Sequence, residues 1–82
     1  MKKLFLKGGV GLDAKATNDP HDGKYISIYE DGQLLYSILS GRSATRQMVI
    51  FPDGMNELYR WQVLNIAEII ENFDQHFNYL MQ

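Results

Sequence analysis

The spacing of apolar residues changes once along this chain, from the two-residue period of β-strands to the longer period of an α-helix. Before Pro52-Asp53-Gly54 the apolar residues alternate in short runs, whereas from about residue 55 to residue 80 they follow steps of three and four. The chain has only 82 residues, which is enough for one hydrophobic core rather than two. We therefore expect a single α+β domain in which one helix lies across one sheet.

Four strands and one helix are predicted along the chain. The strands are expected at about residues 2–6, 24–30, 33–39 and 46–51, and the helix at about residues 55–80. Residues 8–23 carry four glycines and a proline with little periodicity, which predicts a long loop. Asp31-Gly32 predicts a two-residue hairpin turn. The resulting architecture is a four-stranded, mainly antiparallel sheet backed by one C-terminal helix.

The expected helix carries one apolar stripe that should face the sheet. Its N-terminus is expected to be capped by Asp53 or Asn56. The stripe consists of Tyr59, Val63, Ile66, Ile70, Phe73, Phe77 and Leu80.

The two faces of the hairpin follow from its turn. Counting outward from Asp31-Gly32 places Ile28 opposite Leu35, and side chains alternate between faces along each strand. The face expected to receive the helix carries Ile26, Ile28, Leu35, Ser37 and Leu39. The other face carries Tyr25, Ser27, Tyr29, Leu34, Tyr36 and Ile38.

The tyrosine-bearing face is expected to be uncovered, because a single helix covers only one side of a sheet. Tyrosine combines a large contact area with a polar hydroxyl and is enriched at protein interfaces. The residues predicted to bind another protein, or a second copy of the chain, are Tyr25, Tyr29, Leu34, Tyr36 and Ile38. Two alternatives stay open: exposed tyrosines that only stabilise the sheet, and coverage of this face by the loop at residues 8–23.

A second surface is predicted on the outward side of the helix. Residues 1–54 hold seven basic and six acidic side chains (+1), whereas residues 55–82 hold one and four (−3). Trp61 beside Glu57 and Glu68 is a plausible docking site for a basic partner. The alternative is that Trp61 lies at the edge of the core.

Few residues indicate catalysis or a cofactor. The chain has no cysteine, which excludes a disulfide scaffold, a thiolate zinc site and a cysteine nucleophile. Neither histidine has a recognisable nucleophile or triad partner, so no catalytic residue is predicted. The segment Lys7-Gly8-Gly9-Val10-Gly11 resembles the opening of the phosphate-binding loop of ParA- and MinD-like ATPases. Leu12 and Asp13 then stand where that motif requires lysine and serine or threonine.

A metal reading of Asp19, His21 and Asp22 is weaker than a turn reading, because Asx and proline residues at this spacing form turns. No cofactor and no metal are therefore expected.

The net charge of −2 and pI of about 5.5 do not favour nucleic acid as the main partner. Arg42 and Arg46, with the N-terminal lysines, form a possible anion or nucleic-acid contact and support that alternative. No stretch approaches the ~20 apolar residues of a membrane span. The short apolar run after Met1-Lys2-Lys3 lacks the length of a secretion signal. A cytoplasmic location is expected.

The leading hypothesis is a non-catalytic protein-binding module that acts as a small inhibitor or adaptor by blocking a partner's surface. In size and economy the chain looks like the small inhibitors made by phages and mobile elements, including anti-CRISPR proteins, although no motif is shared. The alternatives are a nucleic-acid-associated accessory protein and a purely structural homo-oligomer.

Overall fold

The computed structural model of the chain describes residues 1–41, 47–52 and 57–82. Its elements are β1 (Lys2–Phe5), β2 (Gly11–Asp19), β3 (Gly23–Glu30), β4 (Gln33–Ser40), β5 (Gln47–Ile50), α1 (Arg60–Glu71) and α2 (Phe73–Met81). The strands form one antiparallel sheet in chain order, so each strand pairs with the next. The predicted α+β class is confirmed, with one more strand than expected and a helix in two segments.

The additional strand, β2, lies in the segment that was predicted to be a long loop at residues 8–23. It pairs with β1 on one side and with β3 along its length on the other. Leu12, Ala14 and Ala16 alternate on the side that faces the helices, and Ala14 is buried. The loop prediction is wrong because glycine and alanine are weak strand formers, so tertiary pairing rather than local propensity forms this strand.

The predicted helix is divided at Asn72 and begins later than expected. Tyr59 precedes the first turn, and its backbone N–H donates to Oε1 of Gln62 at 2.9 Å. The predicted start at residue 55 is therefore wrong, and the predicted caps Asp53 and Asn56 lie outside the described residues.

The buried side of α1 is rotated by about one residue from the predicted stripe. Ile66, Phe73 and Phe77 are buried and Ile70 and Leu80 pack against the core, as predicted, but Gln62 is buried in place of Val63 and Ile69 is buried as well. Val63 and Tyr59 are exposed, so their predicted place in the core is wrong. The predicted stripe was counted in alternating steps of four and three, a period of 3.5 residues, whereas the buried residues follow the helical period of 3.6 through Asn72; Tyr59 precedes the helix.

The Asp31-Gly32 turn forms as predicted, but the strands beyond it are out of the predicted register. Asp31 and Gly32 both have positive φ, and Tyr29 lies opposite Leu34. A bulge then adds Leu35 to β4, so that Ile28 faces Tyr36 rather than Leu35. One extra residue moves every later side chain of β4 to the other face.

The prediction that Tyr36 and Ile38 lie on the uncovered face is therefore wrong. They are 1% and 0% exposed and belong to the core, whereas Ser37 and Leu39 lie on the opposite face. The Tyr36 ring packs against Phe51 at 6.3 Å between centroids. Burial raises the pKa of the Tyr36 hydroxyl to about 12.

The core lies between one face of the sheet and the two helices. The sheet contributes Leu4, Leu6, Ala14, Ile26, Ile28, Tyr36 and Ile38, and the helices contribute Ile66, Ile69, Phe73 and Phe77.

The last turn of α2 is tied to the first strand. Lys2 Nζ donates to the carbonyl of Tyr79 at 3.1 Å, and the Tyr79 hydroxyl donates to the carbonyl of Lys3 at 3.2 Å. Neither helix in the described part of the chain is long and apolar enough to cross a membrane.

Candidate protein-binding surface

The face of the sheet turned away from both helices is the open face, and its side chains form three rows across the strands. The first row contains Thr17, Tyr25, Leu39 and Met48. The second, the serine row, contains Lys15, Ser27, Ser37 and Ile50. The third contains Lys3, Asp13, Tyr29 and Leu34.

The half of the open face formed by β3, β4 and β5 is largely apolar. Leu34, Met48 and Ile50 are 40%, 47% and 42% exposed, and Tyr25 and Tyr29 are half-buried between their neighbours. The sheet thus presents aromatic and aliphatic side chains to its surroundings. Three residues predicted to bind a partner, Tyr25, Tyr29 and Leu34, lie together on this face.

The serine row forms a low band between the two tyrosines. The hydroxyls of Ser27 and Ser37 are 2.8 Å apart and hydrogen-bond each other, so this pair already has a polar partner. Because serine is small, the band is lower than the side chains of Tyr25 and Tyr29 on either side. An apolar side chain of a partner can cover this band, because the two serine hydroxyls keep their hydrogen bond to each other when water is displaced.

The half of the open face formed by β1 and β2 carries charge. Lys3 Nζ lies 2.7 Å from Oδ1 of Asp13, and both side chains are partly exposed. Lys15 is exposed in the serine row. The rows therefore hold two positive charges and one negative charge, whereas the whole chain has a net charge of −2.

A groove of about 330 Å³ at one end of the sheet connects the open face with the start of α1. It is bordered by Tyr29, Asp13 and Leu35 on the sheet and by Trp61 on the helix. Trp61 is 49% exposed and stacks on Tyr59, with 6.1 Å between ring centroids and 6° between the planes. The structure thus brings Tyr29 and Trp61, which were predicted on two separate surfaces, to one groove.

The acidic helix surface predicted around Trp61 does not assemble as expected. Glu68 is half-buried, and its Oε2 accepts the backbone N–H of Lys7 at 2.9 Å. Glu57 precedes the helix and is exposed. The carboxylate of Glu68 therefore anchors the segment after β1 instead of extending an outward acidic face.

The turn between β2 and β3 accounts for the acidic residues near His21. Oδ1 of Asp19 accepts the backbone N–H groups of His21 and Asp22 at 2.8 and 2.9 Å, and the Tyr25 hydroxyl donates to Asp22. This is the turn geometry that the sequence favours. Within the ranges that the structure describes, no three histidine or acidic side chains come together to hold a metal ion.

Sequence reasoning missed several apolar residues of the open face. Leu39 was assigned to the other face because the bulge at Leu35 was not foreseen, and Met48 and Ile50 were not assigned to a face. Their alternation with Val49 was the available signal. Arg42 and Arg46 lie outside the described residues.

His76 on α2 is expected to make the stability of this fold depend on pH. Its Nε2 is buried without a hydrogen-bond partner, and burial lowers the pKa of the imidazole below 6.5, opposed by the charge of Glu68. The protonated form is therefore less favourable in the folded chain than in the unfolded chain, and stability is lost as the pH falls below about 6.5. We expect the melting temperature to fall between pH 7 and pH 5.

The matched variants for this prediction are H76Q and H21Q, compared by circular dichroism. H76Q should show a smaller fall over this pH range, whereas H21Q should behave like the wild type because His21 is exposed. A fall of the same size in H76Q and the wild type would contradict the prediction.

Comparison with protein-family models, with curated proteins and with solved structures found no match to this chain. The fold is a five-stranded antiparallel sheet in chain order with two C-terminal helices on one side.

Proposed function

We propose that this chain is a non-catalytic protein-binding module, a small inhibitor or adaptor that covers a partner's working surface with its open face. The observation that supports the proposal is the row arrangement: Tyr25, Leu39 and Met48 in one row, and Tyr29 and Leu34 in another, lie on the side of the sheet away from both helices. Aromatic and aliphatic residues on an uncovered face are typical of interaction surfaces.

The size of the open face fits a protein partner. The five strands have 4, 9, 8, 8 and 4 residues, 33 in total, each about 3.3 Å long in strands about 4.8 Å apart. The flat area is therefore roughly 520 Å², before the relief of the side chains is added. A standard interface buries about 800 Å² of accessible surface on each partner. The open face and the groove beside Trp61 together approach that size.

The charges of the open face indicate the chemistry of the partner. Asp13 neutralises Lys3, but Lys15 projects from the serine row with no acidic residue among its row neighbours. A partner surface with an apolar centre and a carboxylate at its edge would bury the tyrosines and pair with Lys15. An aromatic or long aliphatic side chain of the partner would enter the groove between Tyr29 and Trp61.

A protein partner is favoured over nucleic acid by the charge of this face. Proteins that bind DNA commonly neutralise several phosphates, whereas the rows carry a net charge of only +1. The chain has no cysteine and so cannot form the disulfides that are common in proteins of oxidising compartments. We therefore expect it to act in the cytoplasm.

The test of the proposal compares the variants Y29K and N78K in affinity capture from a lysate of the native host. Both variants add one positive charge, but Tyr29 lies on the open face and Asn78 is exposed on α2. We expect Y29K to weaken binding of the captured protein at least tenfold, because truncation or replacement of a central interface tyrosine costs about 2 kcal/mol or more. N78K should bind like the wild type.

Titration of the purified partner by calorimetry gives the two affinities directly. Equal binding by Y29K and the wild type would exclude the open face as the docking surface. The nucleic-acid alternative would instead be supported if no protein is captured and if the chain binds duplex DNA with an affinity that falls steeply as the salt concentration rises.

A further inference from the structure

The outer edge of β5 differs in charge from the opposite edge of the sheet. In the strand order β5 is last, and β4 is its only neighbour among the described strands. Its residues are Gln47, Met48, Val49 and Ile50, none of them charged, whereas β1 at the other edge carries Lys2 and Lys3. Lysines on an edge strand oppose pairing with another chain. The edge at β5 lacks this protection.

An uncharged edge is compatible with self-pairing in a way that a charged edge is not. When two identical strands pair antiparallel about a twofold axis, residues near the axis face themselves or their close neighbours in the other copy. A charge on such a strand would then meet a like charge, which is destabilising. β5 brings together only an amide and apolar side chains.

The alternation of faces restricts the register of such a pair. Residues directly opposite each other in antiparallel strands point to the same face of the sheet. Met48 and Ile50 lie on the open face, and Val49 packs against the core on the other side. A twofold axis between Met48 and Val49 would place Met48 of one copy opposite Val49 of the other, although these two side chains point to different faces. The axis must therefore lie midway between the two copies of a single residue. An axis at Val49 pairs Met48 with Ile50 of the second copy twice.

We propose that β5 binds β5 of a second copy of this chain in antiparallel fashion, with the twofold axis at Val49. Pairing satisfies the outward backbone groups of β5 in both copies and places the exposed side chains of Met48 and Ile50 against each other. The two sheets become continuous across the pair, and their open faces lie side by side on the same surface. A strand of four residues buries little area, so the dimer is expected to be weak and to depend on concentration.

The register is tested by cross-linking, because the chain has no cysteine of its own. In the proposed pair the two Val49 residues are opposite each other, at a Cα separation of about 4.5–5.5 Å that a disulfide spans. The two Met48 residues are displaced by two positions, beyond the reach of a disulfide. Under mild oxidation V49C is expected to give at least five times more covalent dimer than M48C. A mixture of M48C and I50C should cross-link as V49C does.

Sedimentation equilibrium of the wild-type chain provides the second measurement. The mean mass should rise from monomer toward dimer with concentration, and Q47K should suppress the rise because it adds a charge to the edge without altering the open face. Y29K should associate like the wild type, which separates this proposal from the one above. A monomeric mass at every concentration, or no more covalent dimer in V49C than in M48C, would overturn the proposal.

Discussion

Replacement of Tyr36 by alanine is expected to lower the free energy of unfolding by about 3–5 kcal/mol, the usual cost of removing a buried aromatic ring. Tyr36 is 1% exposed and packs against Phe51. Native proteins are stable by only about 5–15 kcal/mol, so this change alone would remove a large part of the stability of the domain. Chemical denaturation followed by circular dichroism measures the loss.

Tyr29 is the matched control for this experiment. It is a tyrosine of the same hairpin, but it lies on the open face, where its contacts are cross-strand neighbours. We expect Y29A to cost about 1 kcal/mol or less. Similar losses for Y36A and Y29A would show that the bulge at Leu35 does not set the register of β4.

Replacement of Gly23 by alanine is expected to lower the free energy of unfolding by roughly 2–6 kcal/mol. Gly23 begins β3 with φ of +110°, and a Cβ added there would lie 2.7 Å from the carbonyl oxygen of Ser40. A side chain at positive φ costs roughly 1–3 kcal/mol, and forcing atoms into occupied space costs roughly 1–3 kcal/mol more. The obstacle is backbone of the neighbouring strand, so it cannot move aside as a flexible side chain would.

Gly32 separates the two contributions to this cost. It also has a positive φ, of +81°, but a Cβ there would meet no atom within 4 Å. G32A should therefore lose only the part that comes from backbone conformation, and the difference between the two variants measures the clash with Ser40. Thermal melts of both variants give the comparison. A loss in G32A as large as in G23A would rule out a specific steric role for Gly23.

Local sequence pattern was sufficient for the parts of the fold where periodicity is unbroken. Ile26 and Ile28 alternate in β3, which has no inserted residue, and Phe73 and Phe77 lie one turn apart in α2. Both pairs are buried where the pattern places them. The turn at Asp31-Gly32 was also predictable from the sequence, because few dipeptides adopt positive φ at both positions.

Two parts of the fold were mispredicted: the faces of β4 beyond its bulge, and the rotation of the apolar stripe on the helix. Counting outward from the turn misassigned the residues of β4 after Leu35, because nothing in the residue types marks the bulge there. The expected helix stripe was counted with a period of 3.5 residues, whereas the buried residues of the helices follow a period of 3.6. The bulge follows no local sequence signal, so the pattern of apolar residues does not report it.

For the candidate surface, these differences change which residues lie on the open face, but not which side of the sheet is turned away from the helices. Tyr25, Tyr29 and Leu34 lie on the open face as predicted, whereas Tyr36 and Ile38 are replaced there by Leu39, Met48 and Ile50. One layer of helices packs on only one side of a sheet, so the number of elements was enough to predict a side turned away from the helices. The identity of the residues on that side depended on register.

The chain-order arrangement of the five strands also has a kinetic consequence. Every strand pair in the sheet joins segments that are adjacent in sequence, so closing each one costs little loop entropy. Proteins rich in such local contacts fold faster than those built on distant pairings. The longest closure is the return of α2 to the first strand, where Lys2 and Lys3 meet Tyr79. Formation of the sheet can therefore precede this final docking step, which buries the apolar side of the sheet as the last residues of the chain arrive.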